Sequence, residues 1–515
     1  ASPSSIASAA GCAISPRRRG IPARHAPPWQ KMFIQGLLTA ALALSVSHPA
    51  ASRASASRKA SLIGSATMAA NDSAFSSLDE YLGHLASEAA LPEGFRIGNC
   101  GFEFEPSEAA TGTRVKMRLT LIVADKPSSS FAAVFTKNAF CGSPVTVGKR
   151  RMRESPTLQA LLVNNKVSNV CAAGDGVADS EALCEALATA LELPDGAASV
   201  LPSSTGVIGW KLPVPEMRAA MPEAVASLQA GSALPAAQGI MTTDRYPKLR
   251  AASVCGGRIV GIAKGAGMIE PNMATMLSFL LTDVAVPRAQ LQAMLSRAVD
   301  VSFNCMSVDA DQSTSDTLVC LSSEAKLLCP EGASDEEQAA ALAEFESALT
   351  SVCEGLAADV ARNGEGTTHV IRVQVTGAPS VDLARGVGKA VVNSPLFKTA
   401  VAGNDPNVGR LVAAVGSYLG RVAPDLSLDK CTMSLGGRPI FSAGSFDLDN
   451  EAEAALSAHM RDALISDDNG ASLLYPPHQR CVEVAIDLGV GDKGVTVLGS
   501  DLTREYVDIN ADYRS

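Results

Sequence analysis

No Asp or Glu occurs before Asp72, no two cysteines form a C-x-x-C pair, and no basic stripe runs through the body of the chain. Each absence removes a class of function. The stretch before Asp72 is rich in Ser, Ala, Arg and Lys and holds Arg17-Arg18-Arg19 and SRASASRKAS, the composition of a targeting segment and not of a folded domain. Twelve cysteines scattered from Cys12 to Cys481 indicate neither a zinc cluster nor a dense disulfide frame, and read as reduced, mostly buried thiols. A formal net charge of -10 without a basic stripe argues against a nucleic-acid surface, because phosphate binding needs clustered cations. Small molecules or other proteins remain as partners.

The 515 residues, 47% hydrophobic and 19% charged, suffice to bury a large core, and the length favours two sub-structures over one in a soluble, globular protein. Within the leader, MFIQGLLTAALALSV (Met32 to Val46) is too short for a comfortable membrane span and suits a secretory h-region. Followed by an acid-free, Ser/Arg-rich stretch, it predicts a bipartite plastid address over residues 1–71, with a mitochondrial presequence or plain disorder as alternatives. The chain opens on Ala1, so a start at Met32 would leave residues 1–31 untranslated or misassigned.

From about residue 75 the pattern becomes orderly. LDEYLGHLASEAAL (78–91) carries Leu78, Leu82, Leu85 and Ala89 at helical spacing, and SEALCEALATALEL (180–193) repeats Leu at 183, 187 and 191. Ser334 and Glu337 form a capping-box signature ahead of the helical QAAALAEFESALTSVCEGLAAD. VKMRLTLIV (115–123) alternates Val115, Met117, Leu119 and Leu121 on one face. VEVAIDLG (482–489) sets Val482, Val484, Ile486 and Leu488 opposite Glu483 and Asp487, and IRVQVTG (371–377) follows the same rule. Strands and helices mix without the regular beat of a doubly wound sheet, which predicts an α+β (mixed α/β) fold of layered sheets covered by helices.

Familiar chemistries fail one by one. GVGKA (386–390) resembles a P-loop tail, but Leu383 stands where the first Gly belongs and Ala390 replaces the magnesium-binding Ser/Thr, so it reads as a loop. KGAGMIE lacks the third glycine of a dinucleotide fingerprint, since Glu270 occupies it. VDADQSTSD (308–316) opens like a calcium loop without its turn glycine, and Cys320 sits where the bidentate Glu belongs. Of the six histidines, His25 and His48 lie in the leader. His84, His369, His459 and His478 have no G-x-S-x-G or metal-ligand companion, so no metal is expected.

KGAGMIEPNMATMLSFLLTD (264–283) raises a different chemistry, because Lys264, Glu270 and Asn272 crowd one threonine, Thr275, at the edge of an apolar run. A hydroxyl residue at a chain terminus needs no histidine, because its own α-amine titrates near 7.7–8.0 and takes the proton from Oγ. That arrangement requires a cut before Thr275, and the small Ala274 leaves room for a strained peptide and its tetrahedral intermediate.

KGAGMIEPNMATML resembles the processing site of the ornithine acetyltransferase family, also called glutamate N-acetyltransferase or the bifunctional arginine-biosynthesis enzyme. Further blocks fall in that family's order: AAVFTKNAFCGSPV (132–145), LPSSTGVIG (201–209), IMTTDRYPK (240–248), SFNCMSVDADQSTSDT (302–317), RNGEGTTHVI (362–371), NSPLFKTAVAGNDPNVGR (393–410) and the terminal EYVDINADYRS. The resemblance covers roughly Phe75 to Ser515. It departs modestly at AFCGSP and at Arg245 and Tyr246.

The resemblance implies an N-terminal-nucleophile-like αββα architecture cut between Ala274 and Thr275 into an α chain (72–274) and a β chain (275–515). Thr275 is then the nucleophile, Thr205 and Gly206 the oxyanion-hole pair. Thr242, Lys264, Thr275, Glu365, Asn510 and Ser515 are the substrate-binding positions, with Lys264 suited to a carboxylate and Glu365 to an ornithine ammonium. The implied reaction moves an acetyl group from N2-acetylornithine to glutamate without a bound cofactor. Acetyl-CoA as a second donor, the plastid stroma or the mitochondrial matrix as the location, and an α2β2 heterotetramer as the assembly are expectations of the same kind. Taken singly, the same residues have plainer readings: Thr205-Gly206 a turn, Lys264 a solvated charge, Glu365 a loop acid, and Asn510 and Ser515 a frayed tail. Two rival functions stay open, an N-terminal-nucleophile amidase or peptidase resolved by water, and an uncut, non-catalytic scaffold.

Overall fold

A computed structural model describes residues 74–270, 276–467 and 471–511. The leader with its Met32–Val46 run, the Ala274–Thr275 bond and Ser515 lie outside the described residues. The described residues belong to one compact unit, Asn71–Ser515, and not to the two sub-structures that length suggests. The reason is strand pairing across the sequence midpoint.

Period-2 alternation builds the first two layers. Strand Val115–Ser128 sits second in a four-stranded sheet with Phe95–Phe104, Leu158–Asn164 and Val200–Ser204. Its Met117, Leu119, Leu121 and Val123 pack with Leu183, Leu187 and Met217 of helices Gly176–Ala190 and Val214–Ala226. Its Ile122 and Ala124 point the other way. There they meet Leu277, Phe279 and Leu281 of the central strand Leu277–Ala285 of a five-stranded sheet, together with Val260, Ile262 and Val319. On the far side of that second sheet, Leu280, Val284, Leu318 and Cys320 pack under helices Arg288–Val301 and Asp335–Arg362. The order is helices, sheet, sheet, helices: an αββα sandwich, as the resemblance implies.

The five-stranded sheet runs Phe131–Phe135, Thr317–Leu327, Leu277–Ala285, Gly257–Lys264, Lys248–Val254. Lys264 pairs with Leu277, and Leu277 pairs with Thr317 on its other side. A cut after Ala274, as the resemblance implies, would therefore fall between two hydrogen-bonded neighbours of one sheet. A third, seven-stranded sheet, in which Val370–Ala378 lies between Val482–Asp487 and Lys493–Ser500, is covered by helices Val381–Val392, Val408–Val422 and Asn450–Asp462 through Val387, Val391, Leu411, Val415 and Leu456.

Two local expectations need correcting. GVGKA is not a loop but the middle of helix Val381–Val392. A Cβ on Gly386 would meet the Tyr418 hydroxyl at 1.7 Å and one on Gly388 would meet Val497 at 2.5 Å, so these glycines allow close packing and cradle no phosphate. In helix Leu78–Glu88 the buried face is Tyr81 and Leu85, continued by Ala89, while Leu78 is exposed. The capping box at Ser334 and Glu337 forms as expected, at the head of a 28-residue helix. No described helix is long and apolar enough to cross a membrane, and no described cluster of His, Cys, Asp or Glu is arranged to hold a metal.

Candidate active site

Four segments converge beside the start of the central strand. The loop after Lys264 (265–270) leaves strand Gly257–Lys264, and the Thr242–Asp244 turn follows the short helix Leu234–Gly239. Glu365 comes just past helix Asp335–Arg362, and Asn510 lies on the last helix, Arg504–Ala511.

Glu365 is their meeting point. Its side chain is buried, accepting from Thr243 Oγ1 at 2.6 Å and from Asn510 Nδ2 at 2.8 Å, while its backbone N–H donates to Ala266 O at 2.8 Å. The carboxylate lies over Gly267, where a Cβ would stand 2.2 Å from Oε2. That clearance explains the second glycine of KGAG.

A buried ion cluster fixes the Thr242 turn against the same loop. Asp244 accepts from the backbone N–H groups of Thr242 at 3.0 Å and Gly265 at 2.8 Å, and from the ammonium of the fully buried Lys248. Lys248 Nζ also donates to Asn363 Oδ1 at 2.7 Å. Burial alone would raise the Asp244 pKa, but Lys248 and Lys264 outweigh it and hold the group below the usual carboxylate range. Lys264 is shifted the other way: burial lowers its pKa, with Asp244 and Asp316 opposing. A desolvated ammonium beside a buried carboxylate network is a group whose charge a substrate carboxylate would stabilise.

The final helix is docked. Tyr506 Oη donates to Asp309 Oδ2 at 3.3 Å, Asp309 accepts from the N–H groups of Met268 and Ile269 at 2.6 and 2.8 Å, and Arg245 Nη2 reaches Glu505 at 3.1 Å. Asn510 is thus a tethered side chain, and the frayed-tail reading of it is wrong.

Thr205 and Gly206 follow strand Val200–Ser204. The Thr205 N–H donates to Asn164 O at 3.1 Å, and Gly206 has φ +124° with its Cα pressed on Lys166, where a Cβ would lie 2.2 Å from the carbonyl carbon. Neither Thr205 Oγ1 nor the Gly206 N–H is engaged among the described residues. Thr205 can therefore contribute its hydroxyl and Gly206 its N–H. The adjoining Asn165 donates through Nδ2 to Met241 O at 2.7 Å, linking this turn to the Thr242 segment.

The structure thus brings Thr242, Lys264, Glu365 and Asn510 to one place, with Thr205 and Gly206 joined through Asn165. Thr275, its partner Ala274, and Ser515 lie outside the described residues. Sequence reasoning missed Thr243, Asp244, Lys248, Gly267 and Asp309. The blocks IMTTDRYPK and KGAGMIE, which contain four of them, were the available signal.

Comparison with known proteins identifies the family of the chain. The ArgJ family model matches residues 106–515. The arginine biosynthesis bifunctional protein ArgJ of Methylococcus capsulatus is 41% identical over 403 residues, 77% of this chain and 91% of that protein. Its namesake in Nitratidesulfovibrio vulgaris is 38% identical over 420 residues, 81% of this chain and 98% of that protein. The crystal structure of argJ from Bacillus halodurans, 32% identical, covers 46% of this chain and 99% of its own with a TM-score of 0.38. With a family match over four blocks of converging site residues and most of the chain's length, this protein belongs to the ArgJ family.

Proposed function

We propose that the protein is an acetyltransferase of arginine biosynthesis that moves the acetyl group of N2-acetyl-L-ornithine to L-glutamate by a ping-pong route. The chain cuts itself between Ala274 and Thr275. Thr275 Oγ then attacks the acetyl carbonyl, its freed α-amine takes the proton, and the Thr205 hydroxyl with the Gly206 N–H holds the oxyanion. Ornithine leaves, glutamate enters the same pocket, and its amine collects the acetyl group. Thr242, Lys264 and the terminal Ser515 serve the substrate carboxylate, and Glu365, steadied by Asn510, serves the ornithine ammonium.

The observation that carries this reading is the buried Glu365 carboxylate set in one loop cluster with the desolvated Lys264 ammonium, a pair complementary to a substrate with both charges. No bound cofactor is invoked. Acetyl-CoA as a second acetyl donor fits the name "bifunctional" that the relatives carry. An α2β2 assembly of the two fragments and a plastid location, with the mitochondrial matrix as the alternative, complete the proposal.

Mass spectrometry of the purified protein tests the self-cutting step: two chains are expected, the second beginning TMLSFLLTD. The Thr275→Ala variant should stay intact and exchange no acetyl group. Normal exchange in that variant removes Thr275 from the mechanism. Acetylornithine turnover that proceeds equally well without glutamate would replace the transferase by an amidase.

A further inference from the structure

A second cleft, of about 720 Å³, opens between helices Val381–Val392 and Val408–Val422 on the cover of the seven-stranded sheet. It has the size of pockets that hold medium-sized ligands. Its charge is unusual for a protein of net charge -10, since Lys389, Arg410 and Arg421 line it against one carboxylate, Glu270.

Arg410, Ala414, Ser417 and Arg421 recur at helical spacing, so one face of helix Val408–Val422 is turned to the cleft. Arg410 Nη1 donates to Leu396 O at 2.8 Å and Arg421 Nε to Ser417 O at 3.2 Å. Among the described residues neither guanidinium has a carboxylate partner, so most of their N–H groups face the cleft or solvent. Two further sources of positive potential join them. Ser394 and Asn407, both lining residues, are the N-caps of helices Pro395–Ala402 and Val408–Val422, whose dipoles direct their positive ends here.

The two arginines stand three turns apart, about 16 Å along the helix axis, too far for one carboxylate to bridge. Between them the wall is of small residues, Ala390, Gly409 and Ala413, and apolar surface comes from Tyr418 and from Leu396, which is 63% exposed. Guanidinium forks and helix N-termini suit phosphate oxygens, and an aromatic side chain suits a base.

We propose that this cleft binds a phosphate-bearing ligand of nucleotide size, with its phosphates on Arg410 and the two helix N-termini and its base against Tyr418, at the end of the cleft where Arg421 stands. Glu270 anchors one edge of the cleft: its carboxylate accepts from Ser307 Oγ at 3.0 Å and from Asn393 Nδ2 and stands 3.8 Å from Lys389 Nζ, and in sequence it lies five residues before Thr275. The ligand is either the nucleotide moiety of an acyl-thioester carrier, which would deepen the acetyl-CoA part of the proposed function, or a free nucleotide acting as an effector.

Calorimetric titration of the full-length protein with ADP, coenzyme A, tripolyphosphate and citrate tests this. Saturable binding of ADP or coenzyme A is expected, weakened by salt, about tenfold weaker in Arg410→Ala, and weaker also in the exposed Arg421→Glu, which reverses one of the cleft's charges. Binding of coenzyme A alone identifies the carrier, and binding of ADP alone identifies a free nucleotide. Absence of binding by both, equal binding of citrate, or binding unchanged in both variants overturns the proposal. Acetyl exchange is measured on the same samples: nucleotide binding without exchange would defeat the reaction assignment and leave the cleft assignment standing.

Discussion

Gly267→Ala isolates the role of Glu365 without touching it. The added methyl would stand 2.2 Å from Oε2 and 2.5 Å from Cδ of Glu365. Carbon and oxygen at rest sit well beyond 3 Å, so the carboxylate must move by at least about 1 Å. Its backbone cannot follow, because the Glu365 N–H is held by Ala266 O at 2.8 Å. The side chain therefore swings away from Thr243 Oγ1 and Asn510 Nδ2. A hydrogen bond to a charged group contributes about 1.5–3 kcal/mol, so loss of either lowers stability by roughly that amount. If Glu365 positions the substrate as proposed, the same displacement should lower kcat/KM by about 100-fold. Steady-state acetyl exchange between acetylornithine and glutamate, with a thermal melt alongside, gives both numbers. A variant with wild-type kcat/KM and an unchanged Tm would refute both the placement of the carboxylate over Gly267 and its importance to the substrate.

Two further outcomes concern stability. His478 is 4% exposed with neither ring nitrogen hydrogen-bonded among the described residues, and burial, aided by Arg362, pushes its pKa down to about 3. Between that value and the unfolded value near 6.5 only the unfolded chain takes the proton, so stability falls as pH drops through this window, by up to about 1.4 kcal/mol per pH unit. His478→Phe should flatten the slope of urea midpoint against pH over the window, and parallel slopes for variant and wild type would show the histidine is not buried neutral. Gly83 lies inside helix Leu78–Glu88 with nothing within 4 Å of an added Cβ, so Gly83→Ala should stabilise by about 0.8–1 kcal/mol in the same titration, and a loss of stability would contradict the helix.

The parts of this fold legible in the sequence are those set by local periodicity. Met117, Leu119 and Leu121 declare their strand by alternation, and Ser334 with Glu337 declares a helix start, because each signal needs only neighbours within a turn or a pleat. GVGKA misled because two glycines inside a helix look like a turn until Tyr418 and Val497 are seen occupying the space. The site was legible only as a set of matched blocks. That Glu365 lies over Gly267, or that Asp244 holds the Gly265 N–H, depends on contacts between segments far apart in the chain, which no window of residues contains. Asp244 in particular looks like an ordinary turn acid until Lys248 and Lys264 are placed beside it.

The pairing of Lys264 with Leu277, and of Phe135 with Thr317, has a consequence for how the molecule is made. Severing the backbone after Ala274 would leave every one of those ladder bonds intact, so the two fragments would travel as one body through any non-denaturing purification. Neither fragment alone could complete the sheet, since each would expose bare strand edges to its own copies. Under the proposed cut, assembly would accordingly precede scission, and genes split at this point would yield aggregates unless both products met during synthesis.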